Sequence, residues 1–272
     1  MAGRFKVLSL NIGSSTTLAG LLSIISLDKP QLVMLQEVTL TSEQLNVQVA
    51  KFGYKAVTNT DMNNPTALGT GFVWQTHLPV SGVYSVIECR GQSLQLGPYN
   101  FINVYAPSGS QNKNLRREFF GQELFRHMRG LSNLSYQVLG GDFNCILSPK
   151  DTENNFGDKK CPALKDLIEN FNFSDTYRLL HPNGGDFSFY RPNCAASRLD
   201  RFYVPQNLVG NVISVSYQAS LGDHKGVCME MSLPDLMEIP APPLSSSPYW
   251  KLNTAILKDE DFLENFKNRT KL

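Results

Sequence analysis

The chain opens on an apolar run, Phe5, Val7, Leu8 and Leu10, that ends in the polar Asn11. A short apolar run of this kind predicts a buried strand over 5–11. Leu18, Leu21, Leu22 and Ile25 then recur at i, i+3, i+4 and i+7, which predicts a helix. Ser14 or Ser15 can cap it, and Pro30 falls where it has to be over. A second buried strand over 31–38 again ends in polar residues, Gln36 and Glu37, and a short helix follows over 41–51. Short strands come next, over 54–58, 69–75, 83–89, 93–96 and 99–105, separated by Asn-Pro, Gly and Pro turn signals. Residues 107–110 read as a loop. Leu115, Phe119, Phe120 and Met128 mark one face of a long helix over 112–129. A strand over 135–139 runs into Gly140-Gly141. Pro162, Leu164, Leu167, Ile168 and Phe171 outline another helix, with proline in its first turn. Strands over 186–190, 199–204, 212–217 and 226–231 close the pattern.

Strand-helix-strand at the start, long meanders in the middle and strands again at the end predict two β-sheets with helices outside. That is a layered α/β sandwich, not a doubly wound parallel sheet. The globular pattern covers 1–233. Residues 234–248 hold clustered proline and serine and read as an extended linker. Residues 249–272, with Tyr249-Trp250 and a short amphipathic stretch, read as the start of a connection to a further region.

Composition narrows the function classes. A net charge of +1 over 272 residues leaves no global basic footprint, so a nucleic-acid site has to be a local patch. The 5 cysteines are odd in number and never spaced Cys-x-x-Cys, which argues against a disulfide framework or zinc site and for a reducing compartment. No run approaches the roughly 20 apolar residues of a membrane span. The first residues lead straight into a strand pattern, so no signal peptide is expected. Glycine-rich nucleotide loops are missing from the sequence.

The candidate chemistry gathers at strand ends. In Gly140-Gly141-Asp142-Phe143-Asn144 two glycines allow close backbone approach. On an extended segment Asp142 and Asn144 then project to one side, with Phe143 turned into the core. A carboxylate beside a carboxamide suits a bound water and a phosphate oxygen. Gly-Asp-x-Asn is equally a turn sequence. Asn11, Gln36-Glu37, Tyr105, Asp200 and Asp223-His224 are further polar strand ends that a pure core account does not require.

In their order these residues resemble the endonuclease/exonuclease/phosphatase superfamily, the fold of DNase I and the AP endonucleases. The matching stretches are Ser9-Leu10-Asn11, Leu35-Gln36-Glu37, Asn103-Val104-Tyr105-Ala106-Pro107, Gly140-Gly141-Asp142-Phe143-Asn144, Ser197-Arg198-Leu199-Asp200 and Gly222-Asp223-His224. Ser-Arg-Leu-Asp-Arg-Phe-Tyr-Val and the tail Tyr249-Trp250-Lys251-Leu252-Asn253-Thr254 resemble the endonuclease domain of LINE-type non-LTR retrotransposons and its link to the reverse transcriptase.

The resemblance implies a four-layered α/β sandwich of two packed, mostly antiparallel sheets. It implies a nuclease that nicks one strand of double-stranded DNA and leaves a 3′-hydroxyl to prime reverse transcription. Element RNA and a downstream reverse transcriptase region would be partners, and the nucleus the site of action. Mg²⁺ or Mn²⁺ would sit on Glu37 with Asn11. Asp142 would orient or deprotonate water, Asn144 would fix the phosphate or water, and Tyr105 would donate to a phosphate oxygen or leaving group. Asp200 would support this cluster. His224 would meet the scissile phosphate, with Asp223 setting its tautomer; whether Asp142 or His224 is the base stays open. Ser188 matches a residue near the phosphate. Arg198 belongs to the DNA-facing set, and the hairpin over 190–197 would present Arg191 and Asn193 to a groove. Two departures stand out: Gly13 where repair AP endonucleases carry aspartate, and Gly222 where retrotransposon endonucleases usually carry serine. The alternatives are an AP-endonuclease-like repair enzyme, another phosphoesterase of the superfamily, or a DNA-binding module without catalysis.

Overall fold

The computed structural model describes residues 4–13, 18–61, 63–64, 67–131, 136–153, 160–191, 195–220 and 222–236. Its strands are β1 (Arg4–Asn11), β2 (Leu32–Val38), β3 (Tyr54–Asn59), β4 (Gly69–Gln75), β5 (Val80–Ile87), β6 (Gly91–Leu96), β7 (Tyr99–Tyr105), β8 (Gln137–Asp142), β9 (Phe173–Asp175), β10 (Asp200–Pro205), β11 (Val212–Ser220) and β12 (Lys225–Ser232). They form two six-stranded sheets, ordered β11-β12-β1-β2-β4-β3 and β5-β6-β7-β8-β10-β9. Each sheet is antiparallel except for one central parallel pair, β1 with β2 and β7 with β8.

Strand alternation separates the layers. Val7, Leu32, Met34, Phe101 and Phe202 point between the sheets and join one core. Their neighbours Leu8, Leu10, Val33 and Leu35 point outward, onto α1 (Leu18–Asp28) and α2 (Ser42–Val49). Ile102, Val104, Leu139 and Tyr203 point outward on the other side, onto the helical run 113–130 and onto α5 (Pro162–Asn170). The result is the expected four-layered sandwich. Two polar side chains share the inner face: Gln36 Nε2 donates to Asn103 Oδ1 at 2.7 Å, and Asn103 Nδ2 reaches the Leu35 and Gly71 carbonyls at 2.9 and 3.0 Å. Both residues are fully buried, and they bolt one sheet to the other.

This topology makes a single rim. The parallel pairs bring Asn11 level with Gln36, and Tyr105 level with Asp142. Antiparallel neighbours contribute their beginnings: Asp200, first residue of β10, lies opposite Asp142, and His224 immediately precedes β12 beside β1. Residues far apart in sequence thus end on one edge of both sheets.

The two glycines before Asp142 lie inside β8 rather than ending it. A Cβ on Gly140 would stand 2.5 Å from the Phe202 ring, and one on Gly141, at φ +134°, would overlap the Val104 carbonyl oxygen. No L side chain fits that backbone or that space. Gly141→Ala is expected to cost roughly 2–4 kcal/mol, read in a thermal melt as a Tm lower by about 5–15 °C. Gly210→Ala, with open space around its Cβ, should melt like the parent. An unchanged Tm for Gly141→Ala would show that β8 is free to move away from β7.

Three local expectations need correction, and one unassigned segment takes a definite structure. The expected strand over 186–190 is a single β-bridge at Phe189, paired with Ser197 and His224. In the expected helix over 112–129, α3 (Lys113–Glu118) and α4 (Phe125–Gly130) are joined by a π-helical turn over Phe119–Leu124. An i+4 series drifts roughly 40° per step on an α-helix, and the wider turn absorbs that drift. The buried stripe therefore runs Arg116, Phe120, Leu124 and Met128, while Leu115 is exposed. Residues 173–180, not assigned from the sequence, form β9 and the short α6 (Thr176–Leu180), capped by the Asp175 carboxylate. The start of the expected linker, Pro234–Leu236, is a 3₁₀ turn whose Leu236 packs on the inner core. The rest of the linker and tail lies outside the described residues, as do Ser14, Ser15 and Asn193.

Candidate active site

The rim brings together seven of the expected side chains. Asn11 Nδ2 donates to Glu37 Oε1 at 3.0 Å and to Asp142 Oδ2 at 3.1 Å. Tyr105 Oη donates to the same Glu37 oxygen at 3.3 Å. Glu37 and Asn144 both take left-handed backbone, φ +58° and +48°. Such backbone at two non-glycine residues on one rim marks a site held in place by its surroundings. At Asn144 the chain turns, so the period of an extended strand is not what pairs it with Asp142. Instead the Asn144 amide donates to Asp142 Oδ1 at 2.9 Å, and its Nδ2 reaches Asp142 Oδ2 at 3.1 Å and the Ala106 carbonyl at 2.9 Å. The turn and the polar constellation are the same feature. Phe143 is buried as expected.

Asp142, Asp200 and His224 form the inner cluster, all buried, with one ligand-capable atom from each lying within 4.8 Å of the others. His224 Nδ1 lies 2.8 Å from Asp200 Oδ2. Burial alone would lower the pKa of this imidazole. Asp200 outweighs that, helped by Asp142 and Asp223, and pushes it to about 10. Burial and the neighbouring Asp200 push the Asp142 carboxyl up to about 7, against the pull of His224 and the Asn144 amide. At neutral pH the geometry thus favours an imidazolium beside a carboxylate of high proton affinity. Burial, with Glu37 and Asp142 adding to it, raises the Tyr105 phenol, which stays a donor.

The inner cluster borders a cleft of about 410 Å³ lined by Glu37, Ser108, Asn144, Arg191 and His224, among others. Two larger hollows, about 600 and 570 Å³, lie along the helices and touch none of these residues. The chemistry sits in the smaller cleft.

Several sequence expectations change here. Asp223 does not orient His224. Its carboxylate accepts from Arg191 Nε and Nη2 at 3.2 and 2.8 Å, and Asp200 is the imidazole's partner. Asn11 presents its amide nitrogen to the carboxylates, its oxygen accepting from the Gly13 amide at 3.1 Å, and so braces Glu37. Ser188 is fully buried, and its Oγ accepts the Leu199 and Asp200 amides, both at 2.9 Å; it holds Asp200 and cannot face DNA. Arg198 is also buried, paired with Asp151 at 2.8 Å and Asp175 at 2.6 Å, and is structural. Arg191 does lie at the cleft, its side chain 61 % exposed while paired with Asp223.

Hard oxygen donors of this kind suit a divalent cation. Among the described residues Asp200 Oδ1 is buried with no hydrogen-bond partner, an orphan that a cation or a water would satisfy. Asp142, Asp200 and His224 each offer one ligand-capable atom within 4.8 Å of the others, and Glu37, bridged to Asp142 by Asn11, adds a further carboxylate on the same rim. A Cβ at Gly13 would stand 3.9 Å from Glu37 Oε2, so the carboxylate missing at that position would have shared Glu37's side of the site.

Comparison with known proteins gives the family and the fold. The endonuclease/exonuclease/phosphatase family model matches residues 8–224. A Xenopus laevis protein described as a transposon TX1 uncharacterized 149 kDa protein is 30% identical over 175 residues, 62% of this chain but 12% of that protein. An AP endonuclease from Archaeoglobus fulgidus superposes with a TM-score of 0.75 at 17% identity, over 84% of this chain and 100% of its own. A Neisseria 3′ phosphatase bound to a product DNA hairpin gives 0.72 at 16%, over 84% and 100%. An AP endonuclease from Leishmania major gives 0.72 at 17%, over 85% and 88%. The fold, the order of the strand ends and the family match agree: this chain belongs to the endonuclease/exonuclease/phosphatase family.

Proposed function

We propose that the chain is the endonuclease domain of a LINE-type retrotransposon protein, and that it nicks one strand of double-stranded DNA by hydrolysis to leave a 3′-hydroxyl. The observation that carries this reading is the convergence of Glu37, Tyr105, Asp142, Asn144, Asp200 and His224 on one rim. They form a set of acid, base and donor groups suited to a phosphodiester. The similarity to a transposon protein favours a retroelement over a repair enzyme, as does Gly13. The 3′-hydroxyl would prime reverse transcription of element RNA by a downstream region.

In this mechanism Asp142, with proton affinity near neutrality, takes the proton of the attacking water, which Asn144 orients. His224, fixed by Asp200, stays cationic and donates to a non-bridging phosphate oxygen, where charge develops. That assigns the base to Asp142. Tyr105 donates to a phosphate oxygen or the leaving oxygen, and Asn11 holds Glu37 in place. Mg²⁺ or Mn²⁺, held by Glu37, would neutralise phosphate charge and stabilise the leaving oxygen. Arg191 at the cleft is the groove contact, released from Asp223 as DNA enters.

Supercoiled plasmid with Mg²⁺ or Mn²⁺ is expected to become open circle, with EDTA stopping the reaction and a polymerase extending the nick directly. No nicking with either ion, or nicks extended only after phosphatase treatment, would overturn the proposal. Preference for a duplex with an abasic site would favour the repair reading.

A further inference from the structure

We propose that Arg201 is a positioning residue that fixes Asp142 relative to Asp200 by tying together the ends of the two segments that carry them; this rests on the hydrolytic reading above. Arg201 is 1% exposed and lies opposite Gly141 in the β8–β10 ladder. Alternation puts Asp200 and Phe202 on the inner face of the sheet, and Arg201 with Tyr203 on the helix side. Arg201 therefore works from behind the sheet and has no route to substrate.

From there Nη2 donates to the Cys145 carbonyl at 2.5 Å and to the Arg198 carbonyl at 2.6 Å. Nη1 reaches Tyr203 Oη at 3.1 Å, and the guanidinium lies 5.8 Å from the Phe143 ring centroid. Cys145 directly follows Asn144, and Arg198 stands two residues before Asp200. The strand pairing ends close by: Asp142 faces Asp200, and the Phe143 amide donates to the Leu199 carbonyl at 3.0 Å. After Asn144 turns the chain, Arg201 supplies the donors that continue the coupling between the two segments.

A buried guanidinium is a costly way to fill space, and an apolar side chain would stabilise the fold at least as well. Arg201 uses its charge on carbonyls rather than on a bonded carboxylate. Those carbonyls belong to the two segments bearing the inner acids, so a shift of a few tenths of an ångström between them changes how Asp142 meets its water.

The experiment compares Arg201→Met, Arg201→Lys and Val204→Ala, the last a core truncation at the far end of the same strand, each assayed below its own melting transition. Plasmid-nicking kcat is expected to fall about 10–100-fold in Arg201→Met with KM for DNA within about threefold. Arg201→Lys should recover part of it, and Val204→Ala should keep the parent's kcat. Amide exchange at Phe143 reads the same coupling with no substrate. It should quicken at least tenfold in Arg201→Met relative to Val204→Ala and partly revert in Arg201→Lys. Parental kcat in Arg201→Met, or a loss carried by KM alone, overturns the proposal. If the parent cuts no DNA, the hydrolytic reading has failed, and unchanged exchange then overturns the tie on its own. Should Arg201→Met not fold, Arg201→Lys decides: kcat at least threefold down with unchanged KM and faster Phe143 exchange supports the role, and parental values overturn it.

Discussion

Asp142→Ala is expected to lower the nicking rate by 10³-fold or more while the folded state persists, and its stability relative to the parent should rise with pH. The loss is large because, in the proposed reaction, no other group replaces the water-activating carboxylate. A general base contributes roughly 10²–10⁴-fold, and Asp142 also organises Asn11 and Asn144. The stability sign follows from its raised pKa of about 7. A carboxyl whose folded pKa exceeds the unfolded value of about 3.9 binds its proton more tightly when folded. Its contribution is fully present below the unfolded value and is lost as pH rises toward 7. The parent loses that contribution between about pH 4 and 7, and the alanine variant has none to lose. Melts at pH 5 and pH 8 beside plasmid nicking test both halves. A variant that still nicks at the parental rate, or one that falls further behind the parent as pH rises, would remove Asp142 from its assigned place.

The second large effect separates two neighbouring acids. Asp200→Asn should lose roughly 10²–10⁴-fold in kcat, as when the carboxylate orienting a catalytic histidine is neutralised, whereas Asp223→Asn should stay within about threefold of the parent. Asp200 holds Nδ1 of His224 and outweighs the burial that would otherwise lower the imidazole's pKa. Without that charge the imidazole holds its proton less tightly, and the cation facing the phosphate weakens. The alkaline limb of the rate profile, set near the parental value of about 10, should then move to lower pH. Lowering the pH should recover part of the rate. Asp223 is engaged with Arg191 at the cleft, so its loss should alter DNA affinity and salt dependence before kcat. Equal losses in both variants would restore Asp223 as the orienting acid.

The Asp200 assignment shows where the sequence stops being legible. The apolar runs that end in Asn11, Glu37 and Asp142 mark three strands and their rim, because burial on both faces leaves an unbroken signal. The pairing of Asp200 with His224 depends on β10 lying antiparallel to β8 and on β12 lying beside β1. Nothing in either segment records its partner. Adjacency in Asp223-His224 pointed to the wrong acid for that reason. Ser188 and Arg198 follow the same rule: both match positions beside the chemistry, and only the fold reveals that Ser188 is buried behind Asp200 and that Arg198 is buried against Asp151 and Asp175. Residues 186–190 read as strand because Phe187, Phe189 and Tyr190 suit one. Their backbone groups instead bond across loops, to the Ser197 and Asp223 carbonyls and from the Lys225 amide, too few in a row to make a ladder. Arg201 is legible in principle: it shares its strand face with Tyr203, so alternation alone places a cation behind the sheet.

The inner polar pair Gln36–Asn103 has a wider meaning. Asn11, Glu37 and His224 are presented by one sheet, and Tyr105, Asp142, Asn144 and Asp200 by the other. Neither sheet owns a complete site; the reacting groups are two halves of a vice whose jaws meet only when the interior is seated. Sliding of one sheet over the other would change little in either sheet's own hydrogen bonding, yet it would move every distance that crosses the seam. Selection for cutting is then also selection on this one buried polar pair, and an enzyme of this build reports the seating of its two sheets through the speed of one bond cleavage.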